Sequence, residues 1–182
     1  MVDSDKYPVH LPPKWGYFFD MKNNEPIWSS LVLGLHDALV STLGLVTGLA
    51  FADATQYIII LTGIIAAVSA GLSMTASEYL SQKSGGNSST AMWRGIMTGV
   101  AYVFTAAALL IPFALSMNPV VAVSLTYVIS IAIIFGFNYL KSKIMAQNFW
   151  AAFIEMLVVC FVVTTVAFAI GESARVLFGI VV

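Results

Sequence analysis

Residues 119–140 read PVVAVSLTYVISIAIIFGFNYL, a run of 22 residues without a charged side chain. About 20 consecutive apolar residues in a helix are enough to cross the hydrocarbon core of a bilayer. Four further apolar runs, each with a single charged residue, lie at about 28–51, 57–80, 92–115 and 149–170, and the last can extend to Val182. Membrane-spanning strands are only about ten residues long and alternate in polarity, which these continuous runs do not. The sequence therefore predicts an all-α integral membrane protein with five transmembrane helices.

The composition argues against a soluble protein. Apolar residues make up 59% of the 182 residues and charged residues only 9%, against about 45–50% and 25% in globular domains. Soluble enzymes, disordered chains and disulfide scaffolds are thereby excluded. The formal net charge is −1 without any basic block, so no nucleic-acid partner is expected. The single cysteine, Cys160, lies in an apolar run and is expected to be a buried, unpaired side chain.

The distribution of positive charge predicts the orientation. Seven of the eight Lys and Arg residues lie in the N-terminal segment, the second joint or the fourth joint. The positive-inside rule makes these three segments cytoplasmic. Residues 1–28 are then a cytoplasmic or interfacial segment, and residues 29–182 form a five-helix domain whose C-terminus lies outside. Arg175 is the exception, and Glu172 three residues earlier is placed to pair with it.

Three acidic residues, Asp37, Glu78 and Glu155, lie inside predicted spans. A charge at the centre of a bilayer costs at least about 2.5 kcal/mol, so each is a candidate functional residue. Asp37 lies about nine residues past Trp28, which corresponds to a depth of roughly 14 Å. No Lys or Arg is near it in sequence. Protonation, a metal ion or a water-filled cavity would stabilise it; the alternative is a helix N-cap at a break near Gly34.

The end of the second span adds a soft ligand. Met74 and Glu78 are four residues apart and share one helix face, with Ser77 beside them. Met74 is predicted at the depth of Asp37 on the adjacent antiparallel helix. A carboxylate beside a thioether suits Fe²⁺ better than Mg²⁺ or Ca²⁺, which favour oxygen ligands. Asp37, Met74 and Glu78 are therefore the predicted metal ligands, although Met74 as lipid-facing filler is an alternative.

Other polar residues in the spans carry weaker signals. Glu155 either joins a polar pathway or reaches the interface beside Asn148. His36 and Ser77 are possible pathway residues, but His36 and Asn138 are expected to be hydrogen-bonded residues near helix ends. Asp53 and Glu172 are expected to be solvated near the outer surface. No nucleophile–base pair, zinc-protease motif or phosphate-binding glycine loop is present, so neither an enzyme nor a tightly bound cofactor is expected.

Small residues recur in the first two spans at intervals that let helices approach closely, within a chain or across a dimer. They are Gly44, Gly48, Gly63 and Gly71.

Two stretches, GLHDALVSTLGLVTGLA at 34–50 and AGLSMTASEYLSQKS at 70–84, resemble the paired signatures of the vacuolar iron transporter family. The resemblance implies a homodimer that exports Fe²⁺, and often Mn²⁺, from the cytosol in exchange for protons. It also implies a path at the dimer interface lined by Asp37, Met74 and Glu78. Ala38 and Ser77 replace glycines of the signatures. The joint SQKSGGNSSTA has no acidic residue, so the cytoplasmic metal-binding domain of many family members is missing.

The sequence thus predicts a minimal exporter of Fe²⁺ or Mn²⁺. A transporter or channel for another cation is one alternative, and a membrane scaffold whose acidic residues only hold helices together is another. The expected location is the plasma (inner) membrane of a prokaryote, or a vacuolar or other organelle membrane of a eukaryote.

Overall fold

A computed structural model describes residues 25–86, 88–115, 118–145 and 148–178. The predicted N-terminal segment lies outside the described residues up to residue 24, as does any extension of the last span beyond residue 178. Five helices occupy the described part of the chain: α1 Glu25–Phe51, α2 Gln56–Ser84, α3 Ser88–Leu115, α4 Pro119–Met145 and α5 Phe149–Phe178.

Each helix contains a candidate membrane span, and these spans are 24 to 29 residues long. The all-α architecture with five spans is therefore confirmed. Side-chain caps fix where the helices begin. The Thr55 hydroxyl accepts a hydrogen bond from the Ile58 amide, and Asn118 and Asn148 cap α4 and α5 in the same way. These caps satisfy amides that have no partner within the first helical turn.

Helix α3 lies at the centre of the bundle. Half of the most apolar part of α3 is buried, against 11% for α5. Contacts between α1 and α3 keep a nearly constant separation of 61 to 64 residues, so the two helices run in the same direction. These contacts are Ser30–Arg94, Gly34–Thr98 and Ser41–Tyr102.

The glycines of α1 and α2 lie against other helices of the same chain. A Cβ atom on Gly44 would lie 3.1 Å from Val163 Cγ1, and one on Gly48 would lie 3.5 Å from the Ala167 carbonyl oxygen. Both pairs are separated by 119 residues, so α1 and α5 are parallel as well. In α2, Gly63 faces Leu110 and Gly71 faces Val103, both on α3.

The buried apolar side chains form three clusters. One joins α1 to α3, α4 and α5 and contains Leu39, Leu109, Ile134 and Cys160. Cys160 is 7% exposed and has no disulfide partner, as its sequence context predicted. The second cluster surrounds Phe113. The third joins α1, α2 and α3 around Ala38, and Met74 packs against it.

The contact between Gly34 and Thr98 gives a stability prediction. A Cβ atom at Gly34 would overlap the carbonyl oxygen of Thr98, whereas one at Gly136 would meet nothing within 4 Å. Gly34→Ala must push α1 away from α3 and should destabilise the protein by about 1–3 kcal/mol. Gly136→Ala is the matched control and should change stability by less than about 0.5 kcal/mol. The measurement is the thermal midpoint of each detergent-purified variant, and equal midpoints would contradict the close α1–α3 contact.

Candidate metal path

Asp37 lies in the middle of α1, on an exposed helix face. The helix continues through Gly34 without interruption, so the alternative of an N-cap at a break there is wrong. Leu33 and Ser41, one turn before and after Asp37, are exposed on the same face. Within the described residues, the Asp37 carboxylate has neither a hydrogen bond nor an ion pair. The bundle therefore presents a bare carboxylate on the outer surface of a membrane span.

Two hydroxyl groups lie next to Asp37. Ser41 Oγ donates a hydrogen bond of 2.6 Å to the Asp37 carbonyl oxygen and lies 2.7 Å from the Tyr102 hydroxyl. Because the Ser41 hydrogen is used, the Tyr102 hydroxyl donates to Ser41. Sequence reasoning missed both residues. Ser41 had a signal, since it follows Asp37 by one helical turn in the same signature, whereas nothing in the sequence pointed to Tyr102.

Met74 lies near Asp37 in depth. Its side chain is partly buried and packs against the cluster of Ala38, Ala67, Tyr102 and Ala106. Ala38 directly follows Asp37, so the thioether and the carboxylate lie within about one helical turn of each other along the bundle. Ser77, one turn further along α2, is exposed and has no hydrogen bond to any described residue.

Glu78 is buried in an ion pair. Its Oε1 atom lies 3.3 Å from Arg94 Nη2, and the two side chains are 9% and 14% exposed. Ser30 and Gln82 donate hydrogen bonds of 3.0 and 3.1 Å to the same oxygen. Arg94 also donates to the hydroxyls of Ser30 and Ser29. This network joins the start of α1, the end of α2 and the start of α3. Nothing in the sequence indicated that Arg94 would pair with Glu78.

The network and Asp37 occupy different levels of the bundle. Ser30, which contacts Glu78, precedes Asp37 by seven residues, or two helical turns and roughly 10 Å. No group of three or more His, Cys, Asp or Glu side chains is close enough to hold a metal ion within the described residues. Glu78 therefore lies about two helical turns from Asp37 along the bundle.

Two buried polar atoms in the same half of the bundle lack partners. They are His36 Nε2 and Asn138 Oδ1, which have no hydrogen bond within the described residues. Asn138 Nδ2 donates a hydrogen bond of 2.8 Å to the Ile134 carbonyl oxygen, in line with the expectation that Asn138 is a hydrogen-bonded residue. That expectation is not met at His36 Nε2, which has no partner within the described residues. His36 Nε2 and Asn138 Oδ1 lack partners because the nearby backbone groups are already hydrogen-bonded within the helices and the neighbouring side chains are apolar. The Phe137 ring, for example, lies edge-on to His36 at 6.2 Å.

Glu155 lies on the exposed side of α5. Its carboxylate and the Lys141 ammonium are both close enough to act electrostatically on His36. Within the described residues, Glu155 itself has no hydrogen bond or ion pair.

At the opposite end of the bundle, Arg175 links three segments. It donates a hydrogen bond to Glu172, which confirms the predicted pair. It also lies 3.5 Å from Asp53 in the turn between α1 and α2. This second contact ties α5 to that turn and was not predicted.

The comparison with known protein families concerns the part of the chain that contains Asp37, Met74 and Glu78. Residues 28–94 match the model of the VIT family. This range begins at the start of the first span, contains both signatures and ends at Arg94. No curated protein matches the chain. The resemblance drawn from the two signatures is thus confirmed over residues 28–94, where the chain is similar to the VIT family.

Proposed function

We propose that the protein exports Fe²⁺ or Mn²⁺ from the cytoplasm in exchange for protons, as a homodimer. The observation that carries the proposal is the bare Asp37 carboxylate on an exposed face in the middle of the first span. A charge in that position is costly unless a cation or a proton accompanies it. The excess of Lys and Arg in the N-terminal segment and in the second and fourth joints supports a cytoplasmic N-terminus.

The groups around Asp37 suit a borderline divalent ion. The carboxylate and the hydroxyls of Ser41 and Tyr102 are oxygen donors, and Met74 adds a sulfur atom at nearly the same depth. Mixed oxygen and thioether ligands favour Fe²⁺ over Mg²⁺ and Ca²⁺. A carboxyl group that holds a proton when empty must release it to bind the metal. Metal and proton then compete for the same oxygens, and this competition is the basis of antiport.

A second copy of the chain would complete the metal site. One chain offers a single carboxylate at this level, which leaves a bound dication with an uncompensated charge. The exposed face of Asp37 continues into an open groove of about 670 Å³ between α1 and α5, lined in part by Ser41, Gly44 and Gly48. If α1 of a second chain covers this face, two Asp37 carboxylates neutralise one divalent ion.

Glu78 has a different part in the proposed path. Arg94 already neutralises the Glu78 carboxylate, so a metal ion must displace the guanidinium before it binds there. The same ion pair favours the rival function for this residue, in which Glu78 only holds α1, α2 and α3 together. The two roles differ in whether an uncharged replacement of the pair still transports metal.

The first prediction from the proposed function concerns Asp37. Asp37→Asn keeps the side-chain size but removes the charge, and uptake of Fe²⁺ and Mn²⁺ into proteoliposomes should fall by more than about tenfold, equivalent to about 1.4 kcal/mol. Met74→Leu conserves volume but removes the sulfur, so Fe²⁺ uptake should fall more than Mn²⁺ uptake.

Asp53→Asn is the matched control, because Asp53 lies in an exposed turn and is 57% accessible. It should leave the flux unchanged. Thermal midpoints separate a loss of flux from a loss of fold. Wild-type flux in Asp37→Asn would exclude the assignment, and flux of Co²⁺, Ni²⁺ or Zn²⁺ in preference to Fe²⁺ and Mn²⁺ would point to another cation.

The second prediction separates the two roles of Glu78. Arg94→Gln leaves a buried carboxylate unpaired and should destabilise the protein by about 3–5 kcal/mol. The double variant Glu78→Gln/Arg94→Gln removes both charges and should recover most of the thermal midpoint. If Glu78 lies on the path, the stable double variant should transport Fe²⁺ at less than about a tenth of the wild-type rate. Full flux from the stable double variant would assign Glu78 to helix packing alone.

The third prediction concerns the dimer. Cys160 is the single cysteine, so Cys160→Ala gives a cysteine-free background. Leu33→Cys introduces a thiol one turn from Asp37 on the face proposed to contact the second chain, and oxidation should produce a covalent dimer. Ile65→Cys, which is 58% exposed on α2, is the control and should remain monomeric in denaturing gels. Equal cross-linking at the two positions, or none at Leu33→Cys, would count against an α1–α1 interface.

A further inference from the structure

The packing of α1 on α5 places Glu155 at the level of His36. Gly44 faces Val163 and Gly48 faces Ala167, and each pair is separated by 119 residues. The same separation matches His36 with Glu155. At this level the Glu155 carboxylate lies within electrostatic range of His36.

The helix faces that carry Asp37 and Glu155 line a groove further along α1 and α5. Ser41, Gly44 and Gly48 line its α1 side and follow Asp37 at intervals of four, seven and eleven residues. Residues at these intervals lie on one face of a helix. On α5, the lining residues Val162 and Val166 follow Glu155 by seven and eleven residues. Asp37 and Glu155 therefore lie before the lined part of the groove, on the two helix faces that continue into it, and the register of α1 on α5 places them at nearly the same depth.

Two potential metal ligands at this level have no hydrogen bond to any described residue. One is the exposed Glu155 carboxylate and the other is the buried Nε2 atom of His36. A buried nitrogen without a hydrogen bond is costly, and so is a carboxylate within a membrane span. A divalent cation bound to both would remove both costs. An imidazole nitrogen with a carboxylate oxygen is a ligand pair that Fe²⁺ and Mn²⁺ accept.

We propose that His36 and Glu155 form a second metal-binding station beside Asp37, where α1 packs on α5. The inference rests on the proposed metal transport and adds α5 to the path. Two protein ligands with water completing the shell are sufficient, in keeping with the lack of a compact cluster in the described residues. Glu155 lies outside the range matched to the VIT family, whereas His36 lies inside it.

Lys141 gives the station an opposing charge. Its ammonium acts on His36 from α4, while Glu155 acts from α5 with the opposite sign. A bound cation at His36 and Glu155 is therefore repelled by Lys141, which weakens binding and favours release. Removal of the Lys141 charge should strengthen metal binding, an effect that a merely structural role for these residues does not produce.

The test uses the full chain purified in detergent, with Mn²⁺ as the probe. Electron spin echo modulation from ¹⁴N reports whether an imidazole nitrogen is bound to Mn²⁺. The wild type should show this modulation and His36→Gln should abolish it. Glu155→Gln should weaken Mn²⁺ binding by about tenfold, and Lys141→Gln should tighten it severalfold. Glu172→Gln is the matched control on the same helix and should change neither the affinity nor the spectrum.

The outcomes distinguish the station from the wider proposal. Mn²⁺ that binds in an Asp37-dependent manner without a ¹⁴N signal would overturn the station and leave the proposed transport intact. An unchanged affinity in Glu155→Gln, with its thermal midpoint preserved, would do the same. A wild-type protein that neither binds nor transports Mn²⁺ and Fe²⁺ would overturn both. Glu155 is exposed, so its replacement by Gln should not impair folding, and Glu155→Asp should restore part of the affinity.

Discussion

The hydrocarbon core of a membrane offers no hydrogen bonds, and this constraint governs the whole molecule. Backbone groups are satisfied inside five continuous helices. Buried side chains follow the same rule where they can. Thr126 donates to the carbonyl oxygens of Leu109 and Ala122, and Glu78 is neutralised by Arg94. Within the described residues, the exceptions include His36, Asp37 and Glu155, which lie at nearly one level where α1 packs on α5.

Close contact between helices determines which side chains share that level. In lipid no hydrophobic effect drives helices together, so small residues and tight packing set their approach. Gly34 brings α1 against the backbone of α3, and Gly171 brings α5 against the backbone of α1. These contacts fix the register between parallel helices. A shift of α5 by one turn would displace Glu155 by about 5 Å relative to His36. Glycines far from the polar groups therefore control the alignment of these two side chains.

The sequence predicted the helices well because hydropathy is a local property, and the ends of the spans agree with the helix ends to within a few residues. It also placed Asp37 well inside the first helix, which follows from counting along the chain. It did not predict contacts such as Glu78–Arg94 or Ser41–Tyr102, which depend on how each helix is rotated about its axis. In a soluble protein a polar face reveals that rotation. Here the lipid-facing side is as apolar as the core, as the exposed Leu61, Ile65 and Val68 of α2 illustrate, so the sequence carries little rotational information.

Charge balance connects the groove to the proposed exchange of metal for protons. In the proposed dimer, two Asp37 carboxylates match the charge of one divalent ion. With Glu155 of each chain, this level holds four carboxylates when an ion occupies only the Asp37 pair, which is two negative charges more than that ion neutralises. Such an excess is unfavourable within a membrane span unless protons are taken up. A set of carboxylates that is larger than its cargo requires must therefore hold protons when the ion leaves. The number of acidic side chains at this level, more than the identity of any one ligand, then links metal movement to proton movement.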